Sequence, residues 1–156
     1  MKSDPFGNLQ EWGAVLELLS DLEKNGKLSE NQKGLIRILR FRNNWRLREE
    51  VLKAMEGVDD PIDELIEAVL AIATDEGVYV DARILAARAL EGLMSNRRKQ
   101  AGEDASESLT QDRIEGSLRS IIETPQPPVL RDAVEACLLS IIELKPATLF
   151  QACRKG

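Results

Sequence analysis

The stretch Ala82-Arg83-Ile84-Leu85-Ala86-Ala87-Arg88-Ala89-Leu90-Glu91-Gly92-Leu93 decides the fold, because its pattern occurs three times in the chain. Leu47-Arg48-Glu49-Glu50-Val51-Leu52-Lys53-Ala54-Met55-Glu56-Gly57-Val58 carries it 35 residues earlier, and Leu130-Arg131-Asp132-Ala133-Val134-Glu135-Ala136-Cys137-Leu138-Leu139-Ser140-Ile141 carries it 48 residues later. The shared apolar positions fall at i, i+4, i+7, i+8 and i+11, which trace one stripe of a helix with 3.6 residues per turn. Each copy therefore predicts an amphipathic helix. Ahead of each lies a second helical pattern, in which Leu35, Ile38 and Leu39 align with Leu70, Ala73 and Thr74, and then with Leu118, Ile121 and Ile122. The unit is a helix pair, and one pair alone cannot bury its own apolar stripes; stacked pairs share a continuous core.

The run Arg-x-x-Ala-Ala-x-Ala-Leu at Arg83 to Leu90, with Asp75 in the turn before it and Leu-Arg again at 47–48 and 130–131, resembles the second helix of HEAT repeats in the armadillo-like family. The short bacterial type seen in phycobilin-lyase subunits is the nearest likeness. Asp59-Asp60-Pro61 is similar to the acidic-Pro turn that opens a HEAT unit. The resemblance covers roughly residues 30 to 144 and implies an all-α, right-handed α-solenoid of about three HEAT-like helix pairs plus an N-terminal capping helix. It speaks to fold more than to activity, since such modules serve many partners.

The chain is expected to be one domain over 1–156, with a capping helix at 8–28, repeats at 29–58, 60–94 and 107–144, and a flexible loop at 95–106. Helices are expected near 8–24, 29–42, 45–57, 61–74, 78–95, 107–123 and 128–144, with a short tail around 147–153. Leu9, Trp12, Leu16 and Leu19 would cover the open end of the stack. Ser29 with Gln32 forms a capping-box pattern, and Asp60 as N-cap with Pro61 at the first helical position opens another helix. Pro127-Pro128 begins the last second-helix, and Pro146 ends or restarts it. The stretch Ser95 to Ser108 is polar and contains Gly102, which predicts an inter-repeat loop or, more sharply, a binding loop. Gly77-Val78-Tyr79-Val80 has a β flavour, but a helical stripe runs through it, and no strand is predicted.

Composition agrees with packed helices: aromatics are only 4% of the chain while apolar residues reach 43%, mostly Leu, Ile, Ala and Val. Complete absence of histidine removes imidazole bases, His-centred triads and His metal ligands. Iron-binding HEAT-like hydroxylases, which use His-Glu pairs, are excluded on the same ground. No phosphate-binding glycine loop, nucleophile elbow, CxxC or EF-hand pattern occurs. The acids Asp59, Asp60, Asp63 and Glu64 suit a helix N-terminus, where cap and dipole effects explain them without a metal. No catalytic, cofactor or metal residues are assigned, and the chain is not expected to be an enzyme. Met1-Lys2-Ser3-Asp4-Pro5 does not read as a secretory signal, and no apolar run approaches membrane-spanning length. Two cysteines, Cys137 on a face expected to be buried and Cys153, fit a reducing cytoplasm.

The candidate contact surface is Arg37-Ile38-Leu39-Arg40-Phe41-Arg42-Asn43-Asn44-Trp45-Arg46-Leu47-Arg48, with five arginines in twelve residues of an acidic protein of net charge −6. Guanidinium forks suit carboxylates and phosphates, and aromatic faces stack with bases or guanidinium planes. Against this, Arg37, Arg40 and Arg46 would form a solvated face, with Phe41 and Trp45 in the core and acids such as Glu49 and Glu50 neutralising the rest. The recurring Arg48, Arg83 and Arg131 read as structural, pairing with turn acids such as Asp75 and Asp81 or with carbonyls of a neighbouring unit. On the second helices Lys53, Arg88 and Ala136 are equivalent and would line a concave face. Ile84 and Leu85 would either anchor a partner or meet the 95–108 segment. The expected function is a non-catalytic protein–protein scaffold, monomeric or a weak homodimer, binding through the concave face or the Arg-rich corner. The alternative is nucleic-acid binding through the 37–48 cluster, as in HEAT-like DNA-repair glycosylases. Net negative charge weighs against that alternative.

Overall fold

The computed structural model describes residues 4–101 and 109–143. Among them lie seven α-helices and no strand: α1 Trp12–Lys24, α2 Gln32–Arg40, α3 Trp45–Ala54, α4 Asp63–Thr74, α5 Val80–Ala101, α6 Leu109–Glu123 and α7 Pro128–Glu143. Single 3₁₀ turns at Leu28–Asn31 and Met55–Gly57 lead into α2 and out of α3. No described helix is long and apolar enough to cross a membrane. The tail at 147–153, Pro146 and Cys153 lie outside the described residues.

The apolar periodicity explains the packing. All fifteen repeat positions are buried: Leu47, Val51, Ala54, Met55 and Val58, then Ala82, Ala86, Ala89, Leu90 and Leu93, then Leu130, Val134, Cys137, Leu138 and Ile141. Each large aliphatic side chain so removed from water contributes about 1.5–3 kcal/mol before entropy is charged against it. Helices α1, α3, α5 and α7 touch in series, as do α2, α4 and α6, and the pairs α2–α3, α4–α5 and α6–α7 join the two rows. The acids at the start of α4, Asp63 and Glu64, lie in its first turn, where the helix dipole favours them.

Four expectations are corrected. First, the second unit's leading helix is one residue out of the expected register. Leu70 and Ala73 are buried as expected, but so are Val69 and Ile72, while Thr74 is partly exposed with its hydroxyl donating to the Leu70 carbonyl at 3.0 Å, and Arg83 bonds the Ala73 carbonyl where Arg48 bonds that of Leu39. A fifth residue in the α4–α5 turn, against four between α2 and α3, absorbs the shift. Second, residues 95–101 are not a loop. They continue α5, and Asn96 Nδ2 donates to the carbonyls of Glu56 and Val58 at 3.0 Å each, while Arg97 pairs with Asp63. These tertiary bonds hold a polar helix extension that its own sequence reads as a loop; 102–106 lie outside the described residues.

Third, Ser29 and Gln32 do not form a reciprocal capping box. Ser29 Oγ accepts from the Asp59 amide at 2.8 Å. Buried Gln32 accepts from the Ile62 amide at 2.8 Å and donates to the carbonyls of Asp60 at 2.7 Å and Ser29 at 3.1 Å. Both side chains reach across to the turn ahead of α4, whose N-cap is Ile62 rather than Asp60. Fourth, the N-terminal cap is only partly helical. Residues 4–11 form an irregular strap in which Phe6 and Leu9 are buried, and α1 starts at Trp12, which is 48% exposed instead of covering the core.

Candidate functional site

Helix α2 ends in a basic turn, and its 3.6-residue periodicity places Lys33, Arg37 and Arg40 on one face. That face lies opposite strap residues 8–10. Together they line a cleft of about 600 Å³ whose walls are Asn8, Gln10, Lys33, Arg37, Arg40 and Glu64 and whose apolar lining is Leu9, Ile36 and Phe41. Arg37 Nε is ion-paired with Asp4, and Arg37 Nη2 donates to the Gly7 carbonyl at 2.8 Å. Burial raises the Asp4 carboxyl, but the Arg37 hydrogen bond, the Phe6 amide and the Arg37 charge together hold it below the ordinary carboxylate value. Arg40 approaches Glu64 at 3.3 Å, both side chains being more than half exposed, so this pair contributes little to stability. Lys33 is exposed with no ion-pair partner among the described residues. The sequence reading missed Lys33; its spacing from Arg37 and Arg40 was the available signal.

The remainder of the corner turns away from this cleft. Asn44 caps α3 by accepting from the Leu47 amide at 3.3 Å, which directs Trp45 and Arg48 inward. Arg48, 6% exposed, donates from Nε to the Leu39 carbonyl at 2.8 Å, and its guanidinium carbon stands 4.2 Å from the Trp45 ring centre. Burial lowers the Arg48 pKa, the charge of Arg42 lowers it further, and Asp75 opposes both. Trp45 also forms a T-shaped pair with Tyr79, with centroids 5.0 Å apart, and Tyr79 Oη hydrogen-bonds Glu49. Trp45 is thus contacted by the chain's own Arg48 and Tyr79. Arg42 and Arg46 are exposed.

Arg83 repeats the Arg48 arrangement, donating from Nε to the Ala73 carbonyl at 3.0 Å. The acceptor in both cases is the C-terminal end of the same pair's leading helix, not a turn acid of another unit. Orphan carbonyls at a helix end account for the choice. Arg131 departs from the row: it is exposed and bonds Glu135 at 3.2 Å. Arg48 and Arg83 are covered by the helix pair that follows each, whereas no described pair follows α7.

On the second helices Lys53, Arg88 and Ala136 are all exposed, as equivalent positions should be, and Lys53 lies 3.4 Å from Glu50. Ile84 is buried in the core and Leu85 packs half-buried against it, so neither stands free on the surface. Among the described residues no group of three or more acids or cysteines is placed to hold a metal ion. No protein-family model, no curated protein and no solved structure matches the chain.

Proposed function

We propose that the chain is a HEAT-like α-solenoid of about three helix pairs that acts as a non-catalytic, cytoplasmic adaptor, taking an acidic segment of a protein partner into the α2 cleft. The two serially packed rows of helices and the fifteen equivalent buried positions support the solenoid reading. The observation that carries the function is the cleft itself. Lys33, Arg37 and Arg40 outnumber the two acids paired with them, Asp4 and Glu64, in a protein whose net charge is −6, and half-buried Phe41 leads an apolar lining whose other members, Leu9 and Ile36, are largely buried. An acidic peptide bearing one or two apolar side chains matches that combination of charge and apolar area. The concave face carried by Lys53 and Arg88 contributes less, because Ile84 is withdrawn into the core.

Exposed Arg42 and Arg46 beside Trp45 keep nucleic-acid binding as the second reading, although Arg48 and Tyr79 already cover part of the indole. A photo-crosslinking residue placed at Lys33 in native lysate separates the two. A crosslinked protein that survives nuclease treatment and is lost on Arg40→Glu, with the same crosslinker at exposed Glu123 as control, is the expected result. Crosslinks to nucleic acid, or none above the control, would refute the adaptor reading.

A further inference from the structure

The two internal junctions of the stack balance a buried guanidinium in different ways. At the first, Arg48 lies in a cleft of about 260 Å³ whose α4 side is Glu67, which pairs with Arg113, then Ala68, Ala71, Ile72 and Asp75. At the second, Arg83 lies in a cleft of about 320 Å³ whose α6 side is Ser117, Ser120, Ile121 and Thr124. Asp75 and Thr124 each directly follow the last residue of their helix, so Ala68, Ala71, Ile72 and Asp75 correspond to Ser117, Ser120, Ile121 and Thr124. Passing from the first junction to the second, a carboxylate becomes a neutral hydroxyl and two alanines become serines.

Arg83 is only 4% exposed, so its charge is largely removed from water. Nε is satisfied by Ala73, and Nη1 reaches Gln126 Oε1 at 3.5 Å. Nη2 is buried and has no hydrogen-bond partner among the described residues. Gln126 is held in place by its own amide, which donates to Thr124 Oγ1 at 2.7 Å, while that hydroxyl donates to the Ile121 carbonyl at 2.9 Å. Ser120 and Thr74 donate to carbonyls of their own helices, which leaves the Ser117 hydroxyl as a second donor without a partner among the described residues. Glu76 is the one carboxylate on this lining, and it is exposed.

We propose that the α4–α5–α6 cleft binds a carboxylate group, received by Arg83 Nη2 and the Ser117 hydroxyl, which brings to this cleft the negative charge that Asp75 places on the lining of the neighbouring one. A guanidinium edge with an adjacent hydroxyl is a geometry suited to a planar carboxylate. The site is independent of the α2 cleft and of the adaptor reading. Its ligand is either a free small carboxylate or an acidic side chain of a docked polypeptide.

The test is a titration of the whole chain with sodium acetate, with acetyl-Gly-Asp-Gly-amide, and with sodium phosphate, each against sodium chloride at equal ionic strength, read by melting temperature and by the NMR signal of the Arg83 Nε–H group. Acetate or the peptide should give a saturable rise in melting temperature and a saturable Arg83 shift. Tighter binding of the peptide assigns the site to a polypeptide ligand, and equal binding assigns it to free carboxylates. Thr124→Asp, which restores the internal carboxylate, should raise the melting temperature without ligand and weaken acetate binding at least ten-fold. Glu76→Gln, which removes a repelling charge, should tighten it. No saturable response in the wild type, an equal response in Thr124→Asp, or phosphate binding as well as acetate would each overturn the proposal, the first meaning that water alone satisfies Nη2.

Discussion

Replacing Gly34 by alanine should destabilise this protein, although alanine is the better helix former, and the sign should reverse when Phe6 is removed. Gly34 lies in α2 beneath the N-terminal strap. A methyl group there would come 2.5 Å from Phe6 Cδ2, 2.7 Å from Phe6 Cε2 and 2.9 Å from Asp4 Oδ1. The same Asp4 oxygen accepts the Phe6 amide at 2.9 Å, so ring and carboxylate cannot retreat independently. Displacing the buried Phe6 ring forfeits about 1.5–3 kcal/mol of burial. Gly→Ala in a helix returns about 0.8–1.0 kcal/mol. The net expectation for Gly34→Ala is a loss of about 0.5–2 kcal/mol. In a Phe6→Ala background the clash with the ring is gone, and the same substitution should stabilise by up to about 1 kcal/mol. Urea denaturation of the four members of this cycle gives the coupling energy directly. Equal stabilisation by Gly34→Ala in both backgrounds would show that the strap does not pack on α2, and the cleft it walls would go with it.

Two further outcomes follow from buried polar groups. Gln32→Leu should cost about 1–3 kcal/mol, because it strands the Ile62 amide and the Asp60 carbonyl at the turn ahead of α4, and it should speed hydrogen exchange at Ile62. Wild-type stability with unchanged exchange would remove Gln32 as the clamp between units. The Cys137 thiol is pushed up to about 12, first by burial and then by the charge of Glu91. A folded value raised above the unfolded one, about 8.5, means that its stabilising contribution is complete below that pH and is lost as pH rises toward 12. Between pH 9 and 11 the wild type should therefore lose about 1.4 kcal/mol per pH unit more than Cys137→Ala, measured by urea midpoints. Parallel slopes for the two proteins would refute it.

Much of this was legible in the chain itself. The three copies of the second-helix pattern located fifteen core positions, because a helix stripe is a local property that survives any tertiary arrangement. The corner between α2 and α3 was legible as a concentration of arginines, but not its division. Capping by Asn44 turns Trp45 and Arg48 inward, while Arg37 and Arg40 remain with Lys33 on the α2 face. Nothing local distinguishes an arginine that will meet a carbonyl nine residues away from one that will meet solvent. The same limit explains Ser95 to Gln100, polar enough to read as a loop, yet helical because Asn96 and Arg97 find partners 34 to 40 residues away.

The sequence by itself determined the all-α class, the helix-pair unit and the inward-facing aliphatic stripe, since these follow from periodicity and from the absence of competing strand or turn signals. Tertiary structure decided the register of α4, the strap over α2, the reach of Gln32 to the next turn and the fate of each recurring arginine. Those features depend on which unit is stacked above which. Arg48 is buried against the Trp45 ring with the charge of Asp75 across its cleft, Arg83 is buried with no carboxylate at the corresponding position, and Arg131 stays in water because no described pair covers it. The same residue at the same repeat position therefore meets three electrostatic environments, and only the packed neighbours specify them.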